Sequence, residues 1–229
     1  MNGKPSGNFQ LTGLNEPYTG TATTSIDIRD DLAIGTRTML PFGARFLAKR
    51  FRFEAEYLQS TFSGDAILPR DILFQAITFP AGEHVGTTLK IRDISGSFRY
   101  DLFSGVYSAL GIGADLDAIR YSVALADPDR GLYPSDVRNI YAPVPHVAFN
   151  FHDGARNFWL DVKFGYIKAQ GSKAQKWRVE SGYKVTPNLG ATGGWRSFSG
   201  LWFKDRAPAP DDHIQLKLDE YYAGLFISF

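Results

Sequence analysis

The histidines and serines are the residues of this chain that could carry out acid–base or nucleophilic chemistry. Four histidines are present, at His84, His146, His152 and His213. No two of them have the i, i+2 or i, i+4 spacing of a shared metal site, and there is no cysteine to complete one. His146 is expected on the inner face of a strand, and the candidate nucleophiles are Ser95, Ser97 and Ser199. Because nothing brings a serine and a base together, we predict no catalytic residue, no metal site and no cofactor.

Two glycine-rich stretches and one acidic loop are the other candidates for ligand binding. The glycines at residues 111–113 and 190–194 lie inside strand patterns, so they do not form phosphate-binding loops. Glycine inside a strand instead fits a bend or the close approach of another side chain. Asp205, Asp211 and Asp212 could bind Ca²⁺, but a solvated acidic loop explains them equally well.

Charged side chains recur at alternate positions, on strand faces that we expect to point inward. They are Arg45, Arg52, Glu54, Glu56, Arg99, Asp115, Asp117, Asp161, Lys163, Arg178, Glu180, Lys184, Arg196 and Glu220. A charge facing lipid at the bilayer midplane costs roughly 2–4 kcal/mol, and an unpaired charge in a dry protein core costs more. A polar-lined barrel in lipid satisfies both constraints. A soluble barrel with its polar face outward also would, but it would have to bury nearly every aromatic side chain.

The signs of these fourteen charges balance, with seven basic and seven acidic positions. Balance suits mutual pairing better than ion selection. Two alternatives follow: a lumen packed with ion pairs and closed to solutes, or a narrow polar channel. Barrels of eight strands are filled by their own side chains, and about ten strands lie near that limit, so we expect the filled lumen.

Alternation of apolar and polar residues predicts the strands that would carry these charges. The pattern places strands at residues 40–47, 51–62, 87–100, 106–121, 141–151, 158–166, 177–184, 189–196 and 216–229, with a first strand somewhere in 7–15. The phase changes near Arg92 and Asp93, which predicts a bulge. Pro143 and Pro145 each remove a donor from the ladder, so we expect them near a strand end, beside a bulge. The apolar faces, predicted to contact lipid, include Leu110, Ile112, Val162, Phe164, Val179, Leu225 and Ile227.

The connections between these strands alternate in length. Short ones are predicted at 48–50, 101–104, 152–156 and 186–188, and longer ones near 63–85, 126–139, 169–174 and 203–213. Outer-membrane barrels have this asymmetry, with short periplasmic turns and longer outer loops. The connection at 63–85 contains apolar residues such as Leu68, Ile72 and Phe74. It either folds over the barrel mouth as a lid, offers a surface to a protein or lipid, or simply extends its flanking strands.

The composition of the 229 residues excludes several classes of protein. The chain lacks cysteine, so it is not a disulfide scaffold, and its net charge of +1 gives no argument for nucleic-acid binding. No apolar run reaches the roughly 18 residues of a transmembrane helix, although barrel strands hide their hydrophobicity in alternation. The first seven residues lack the apolar region of a signal peptide. If the chain is exported, we expect its leader to have been removed.

From Phe51 onward the chain resembles the small outer-membrane β-barrel proteins of proteobacteria, including the OmpA-like ones. The stretches that carry the resemblance are 51–57, 94–102, 111–114, 142–145, 193–198 and 222–229. The resemblance implies a single domain over 1–229, with an ill-defined first strand within 1–35. The implied fold is a closed antiparallel transmembrane β-barrel of about ten strands, or eight, in the bacterial outer membrane. The terminal Phe229 resembles the signal that the barrel assembly machinery recognises.

The resemblance is nearly silent on activity, so several functions stay open. We expect a non-enzymatic protein of structural or surface-interaction type, surrounded by outer-membrane lipid and lipopolysaccharide. A narrow channel, or porin, for small solutes is the alternative, and a lipid-active enzyme is a third. A protein partner would bind the outer loops, because loops on a rigid scaffold are the usual sites of recognition.

Overall fold

The computed structural model describes residues 2–10, 26–35, 37–38, 42–75, 77–153, 155, 157–169, 172–204 and 212–227. Fourteen strands lie in this part of the chain. They are β1 (Asn2–Gln10), β2 (Ile26–Asp27), β3 (Arg37–Thr38), β4 (Phe42–Ala48), β5 (Phe51–Ile67), β6 (Ile72–Phe74), β7 (Ile77–Phe79), β8 (His84–Ser104), β9 (Ser108–Ala126), β10 (Ser135–His152), β11 (Phe158–Ala169), β12 (Ser172–Lys184), β13 (Leu189–Lys204) and β14 (Asp212–Ile227). No helix among the described residues is long and apolar enough to cross a membrane.

Twelve of the strands form one antiparallel, strongly curled sheet with the shape of a half-barrel. Its order is β2-β1-β14-β13-β12-β11-β10-β9-β8-β5-β4, and β3 also pairs with β1. The nine strands of nine or more residues are consecutive in this order. The prediction of an all-β, antiparallel fold is therefore confirmed. The first strand begins earlier than predicted, at Asn2, and it pairs with the last strand over its whole length.

Several strands are longer than the sequence pattern predicted. The predicted turn at 101–104 is wrong, because β8 continues to Ser104 and the turn is 105–107. The predicted loop at 126–139 shrinks to 127–134. The long connection expected at 169–174 is also wrong, since only two residues, outside the described part of the chain, separate β11 from β12. Residues 205–211 and 228–229, which include Asp205, Asp211 and Phe229, likewise lie outside the described residues.

The bulge predicted near Arg92 and Asp93 is wrong. Pairing of β8 with both β5 and β9 is regular through these residues, and the register shifts only between Asp101 and Phe103. The odd-numbered side chains of β8 face the concave side of the sheet from Val85 to Asp101. What changes at residue 92 is the type of residue on each face, not the phase of the strand.

The two prolines of β10 lie inside the strand, not near its end as predicted. Pro143 and Pro145 pair in regular register with Leu116 and Ala114 of β9. On the opposite side, the pairing of β10 with β11 begins only at His146. The prolines therefore lie where β10 has a single neighbouring strand, so their missing N–H groups interrupt no ladder on the other side.

On the long strands, the apolar face and the polar face change sides at a common level of the sheet, here called the level of exchange. On β5 the convex face is apolar up to Tyr57 and polar from Gln59 to Asp65, while the concave face is charged up to Glu56 and, apart from Ser60, apolar from Leu58. On the convex face the same exchange falls between Ile94 and Arg92 on β8, Ala118 and Arg120 on β9, Tyr141 and Asn139 on β10, Trp177 and Gln175 on β12, Trp195 and Ser197 on β13, and Tyr221 and Asp219 on β14.

This level divides the sheet into two halves. The turn half carries the short turns 49–50, 105–107, 153–157 and 185–188, and the loop half carries the remaining connections. In the turn half the sheet is apolar outside and charged inside. In the loop half it is polar outside and apolar inside, as in a soluble barrel. The seven positions predicted to contact lipid all lie on the convex face of the turn half, where Leu225 is 79% exposed.

The apolar core fills the concave side of the loop half. Side chains of β5, β8, β9 and β14 form one buried cluster with two inserted segments. These segments, here called the plug, are residues 26–35 and 68–79 apart from Ala76. The plug contributes Ile26, Ile28, Leu32, Ile34, Leu68, Ile72, Phe74 and Phe79 to the cluster. The connection at 63–85 thus both extends its flanking strands and folds inward over the loop half.

Candidate functional site

The concave face of the turn half holds a cluster of ion pairs that crosses the space inside the curled sheet. Glu54 on β5 is at its centre. Arg45 Nε lies 2.9 Å from Glu54 Oε1, and Arg178 Nη1 lies 2.9 Å from Glu54 Oε2. Lys163 Nζ lies 3.4 Å from the same Oε2 atom. Because β5 and β12 are far apart in the sheet order, the curl of the sheet is what brings Glu54 and Arg178 together.

Glu180 joins the same cluster from β12. Arg45 Nη2 donates to Glu180 Oε1 at 2.8 Å, while Arg178 and the Tyr222 hydroxyl donate to Oε2. Each oxygen of this buried carboxylate therefore has a charged or hydroxyl donor. Charge-assisted hydrogen bonds of this kind are about twice as strong as neutral ones, so Glu180 fixes β4 against β12.

A second group of ion pairs surrounds Asp115 and Asp117 on β9. Lys176 Nζ lies 2.8 Å from Asp117 Oδ1 and 3.1 Å from Asp115 Oδ2. Lys163 Nζ and His146 Nδ1 lie 3.3 Å and 3.2 Å from Asp115 Oδ1. Lys163 thereby contacts both Asp115 and Glu54, and it links the two groups into one network.

Two further groups complete the network at its edges. Arg196 lies between Glu56 and Glu220 and donates to both carboxylates. At the end near the short turns, Arg99 Nη1 donates to Asp161 at 2.8 Å, and Arg52 Nε donates to Asp101 at 3.1 Å. Thirteen of the fourteen predicted inward charges make ion pairs on the concave face. The exception is Lys184, half-buried at the end of β12, which has no ion pair with any described residue.

Sequence reasoning missed five charged residues among the described ones on the concave face: Asp136 and Arg138 of β10, which pair with each other, and three that lie in or beside the network. Lys176 and Asp101 were omitted, although Lys176 has the same parity as Arg178, and Asp101 the same parity as Arg99. Extending the alternation by one more position on each strand would have found both residues. Asp93 was hidden by the predicted bulge, because a change of phase there would have turned its side chain away from the interior.

A cavity of about 80 Å³ lies where the charged network meets the apolar core. Leu58, Ile91 and Ile119 line its apolar side, and Asp93 and Glu220 are among its polar lining. Asp93 Oδ1 is buried without a hydrogen bond, and the side chain makes no ion pair with any described residue. The cavity thus has a carboxyl group without a partner at its polar end.

The plug is held by an ion pair of its own. Asp31 accepts a hydrogen bond from the backbone N–H of Asp27 at 2.8 Å and forms a two-pronged contact with Arg70, at 2.5 Å and 3.3 Å. This pair joins the two segments of the plug. Although burial alone would raise the pKa of Asp31, the hydrogen bond and charge of Arg70 hold that pKa below its ordinary value.

The residues considered for catalysis do not assemble into a nucleophile and base. His146 is fully buried but lies against Asp115, and Ser97 Oγ accepts a hydrogen bond from Lys163 at 3.0 Å. Ser95 lines the cavity, while Ser199 has the parity of the convex face. No serine–histidine hydrogen bond and no metal-binding group of side chains occurs among the described residues. The charged side chains of the concave face therefore pair with one another.

Neither a family model nor a curated protein matches this chain. The proposed function therefore rests on the residues of the chain itself.

Proposed function

We propose that this protein is an integral outer-membrane β-barrel protein whose interior is filled, and that its role is structural or one of surface interaction. The observation that carries the proposal is the exchange of face chemistry at one level. An apolar convex face around a charged concave face is the reverse of a soluble protein, and it fits a wall between lipid and a polar interior. The loop half, with its polar convex face, fits water.

The height of the apolar convex band matches a bilayer. On β10 the band runs over residues 141–151, which is 11 residues, and on β11 it runs over 158–166, which is nine. A tilted transmembrane strand requires about 9–11 residues to cross the hydrocarbon core. The convex band therefore has the length that a spanning barrel requires, and the strands outgrow it only on the loop side.

Aromatic side chains mark the edge of this band. Six residues with a polar tip stand on the convex face at or next to the level of exchange: Tyr57, Tyr141, Tyr166, Trp177, Trp195 and Tyr221. Tyrosine and tryptophan are enriched at membrane–water interfaces, because the ring prefers an apolar layer and the polar atom prefers water. This row supports an interface at the boundary between the turn half and the loop half.

Closure of the sheet into a barrel is part of the proposal. An open sheet edge cannot lie in hydrocarbon, because each unsatisfied backbone group would cost several kcal/mol there. The pairing of β3 with β1 and of β4 with β5 places two short, neighbouring segments at opposite ends of the strand order. We infer that β3 and β4, which lie close together in the sequence, bring the two edges of the sheet together and close the barrel. Resemblance to the small proteobacterial barrels supports the bacterial outer membrane as the location.

The filled interior favours a barrel whose lumen is closed to solutes over the alternative of a narrow channel. Ion pairs cross the turn half, and the plug occupies the loop half. The test is the current across planar bilayers that contain the refolded protein, with a porin of known conductance as the positive control. We expect no steady conductance. A steady, sizeable current through the wild-type protein would favour the channel, and the charges of the network would then set its selectivity.

A lipid-active enzyme is the third alternative. Such an enzyme requires a nucleophile within hydrogen-bonding reach of a base. We expect the folded protein to leave outer-membrane lipid intact during prolonged incubation, as assayed by release of fatty acid. Release that is lost on substituting His146 would contradict the non-enzymatic assignment.

A further inference from the structure

Two arginines face each other on the convex side of the sheet, one step beyond the aromatic row. Arg92 on β8 is the direct cross-strand partner of Arg120 on β9. Both side chains are exposed. Like charges directly opposite each other destabilise a sheet. This position therefore carries an electrostatic cost, and no ion pair with a described carboxylate offsets it.

Among the described residues, the cross-strand neighbours of this pair are donors and none is a carboxylate. Gln59 pairs with Arg92 and Asn139 pairs with Arg120, so four donor side chains form one row across four strands. Lys90, two residues from Arg92 on the same face, adds a third cation. Neither guanidinium makes an ion pair with a described carboxylate.

Among the described residues a second cationic pair, Lys168 of β11 and Lys173 of β12, also faces across two strands on the convex side, but it offers ammonium groups in place of planar guanidinium groups. The arginines of the concave face are paired with carboxylates, and Lys217, convex and in the loop half, lies 2.9 Å from Asp219. Two guanidinium groups side by side present planar forks that match the oxygens of a phosphate group. The row thus has the charge and the geometry of an anion site.

We propose that Arg92, Arg120 and Lys90 bind the phosphate of a lipid headgroup at the membrane surface. This proposal rests on the proposed function, which places the row just above the apolar band. At that height the headgroup of a neighbouring lipid is the anion within reach, and its acyl chains would lie against the convex face around Ile94 and Ala118. The lipid is recognised by its phosphate, and a phosphate monoester offers the most charge.

The test is the relative affinity of the refolded protein for phosphatidic acid and phosphatidylcholine in mixed bilayers, measured with spin-labelled lipids. The variants are the double change Arg92→Gln with Arg120→Gln, and the matched control Lys217→Gln. About 1 kcal/mol per basic side chain near an anionic surface gives an expected loss of about 30-fold in affinity for phosphatidic acid in the double variant. The control and the affinity for phosphatidylcholine should change less than about twofold.

Equal losses in the control and the double variant would overturn the proposal, because the effect would then be general electrostatics. Undiminished affinity in the double variant would overturn it as well. If inorganic phosphate in detergent bound the site as strongly as phosphatidic acid does, the site would belong to a soluble anion instead of a lipid. If every variant inserts into the bilayer but shows no lipid preference, this inference alone is overturned. If the wild-type protein does not insert, the membrane assignment on which the inference rests is overturned.

Discussion

Leu58 on β5 and Asp93 on β8 are direct cross-strand partners on the concave face. An aliphatic side chain and a carboxyl group without a partner thus stand side by side at the level where the interior changes from charged to apolar. This contact lies beside the cavity that both residues line. It marks the point where the charged network ends and the plugged core begins.

Replacing Asp93 should stabilise the protein. A buried polar group without a hydrogen bond costs about 1–3 kcal/mol, and Asp93→Leu removes that group and fills part of the cavity. We expect the free energy of unfolding in urea, measured in detergent or lipid, to rise by a similar amount. A lower stability for Asp93→Leu would mean that the carboxyl group has a stabilising partner inside the fold.

Neutralising Glu54 should have the opposite effect. Glu54→Gln leaves Arg45, Arg178 and Lys163 without their shared carboxylate, and a stranded buried charge costs about 3–5 kcal/mol. The matched control is Asp65→Asn on the same strand as Glu54, which breaks an exposed contact with His84 of β8. Exposed pairs contribute about 0–1 kcal/mol, so the control should unfold at nearly the wild-type urea concentration. Similar losses for the two variants would refute a buried network.

Gly64 on β5 tests the position of the plug. A Cβ atom at Gly64 would lie 2.0 Å from the carbonyl oxygen of Leu32, which is backbone and cannot rotate away. We expect Gly64→Ala to lower the free energy of unfolding by about 1–3 kcal/mol and to speed proteolysis within residues 26–35. Gly96→Ala on β8 is the control, because its Cβ would meet nothing within 4 Å. If Gly64→Ala behaves as Gly96→Ala does, the plug does not pack against β5 at this point.

The plug should also respond to acid. The pKa of Asp31 is lowered in the folded protein, so its ion pair with Arg70 stabilises the plug above the ordinary carboxyl pKa, and this contribution is lost as the pH falls through the folded value. We expect the wild-type protein to melt at a higher temperature than Arg70→Gln near neutral pH, and the difference to shrink once the pH falls below about 4 and to vanish below the lowered folded pKa. Arg130→Gln, which loses a contact with Glu83 at 3.1 Å, is the charge-matched control. A difference that persists at low pH would show that Arg70 acts through contacts other than Asp31.

The sequence predicts the faces of the strands better than their ends. Period-two alternation survives any change of neighbours, so the parity of Glu54, Arg178 and Glu220 could be read directly. The end of β8 at Ser104 could not, because a strand extends for as long as a neighbour offers hydrogen bonds. That neighbour is β9, where Ser104 pairs with Ala109 beyond the register shift between Asp101 and Phe103, and this shift breaks the alternation that the sequence shows.

The exchange of faces was misread as a bulge for a related reason. On one strand, a change of phase and a change of surroundings produce the same pattern around Arg92 and Asp93. Comparison with β5 and β14 resolves the ambiguity, because Tyr57 and Tyr221 stand at the same boundary on strands that are regular. Inward folding of 63–85 was one of three alternatives, but the part that residues 26–35 take in the plug was beyond prediction, since only the folded chain shows that they pack into the same core as Phe74.

The depth of the convex face in the bilayer tests the central claim most directly. The chain has no cysteine, so single cysteines carrying a nitroxide label can be placed without any background. Labels at Ile94, Leu116 and Val147 should be reached by oxygen in lipid and not by a water-soluble nickel chelate. Labels at Gln59 and Asn139 should be reached by the chelate. The preference for oxygen over the chelate should reverse between labels on the two sides of the level of exchange. Chelate access at Leu116 and Val147 equal to that at Gln59 would contradict it, because the apolar band would then face water.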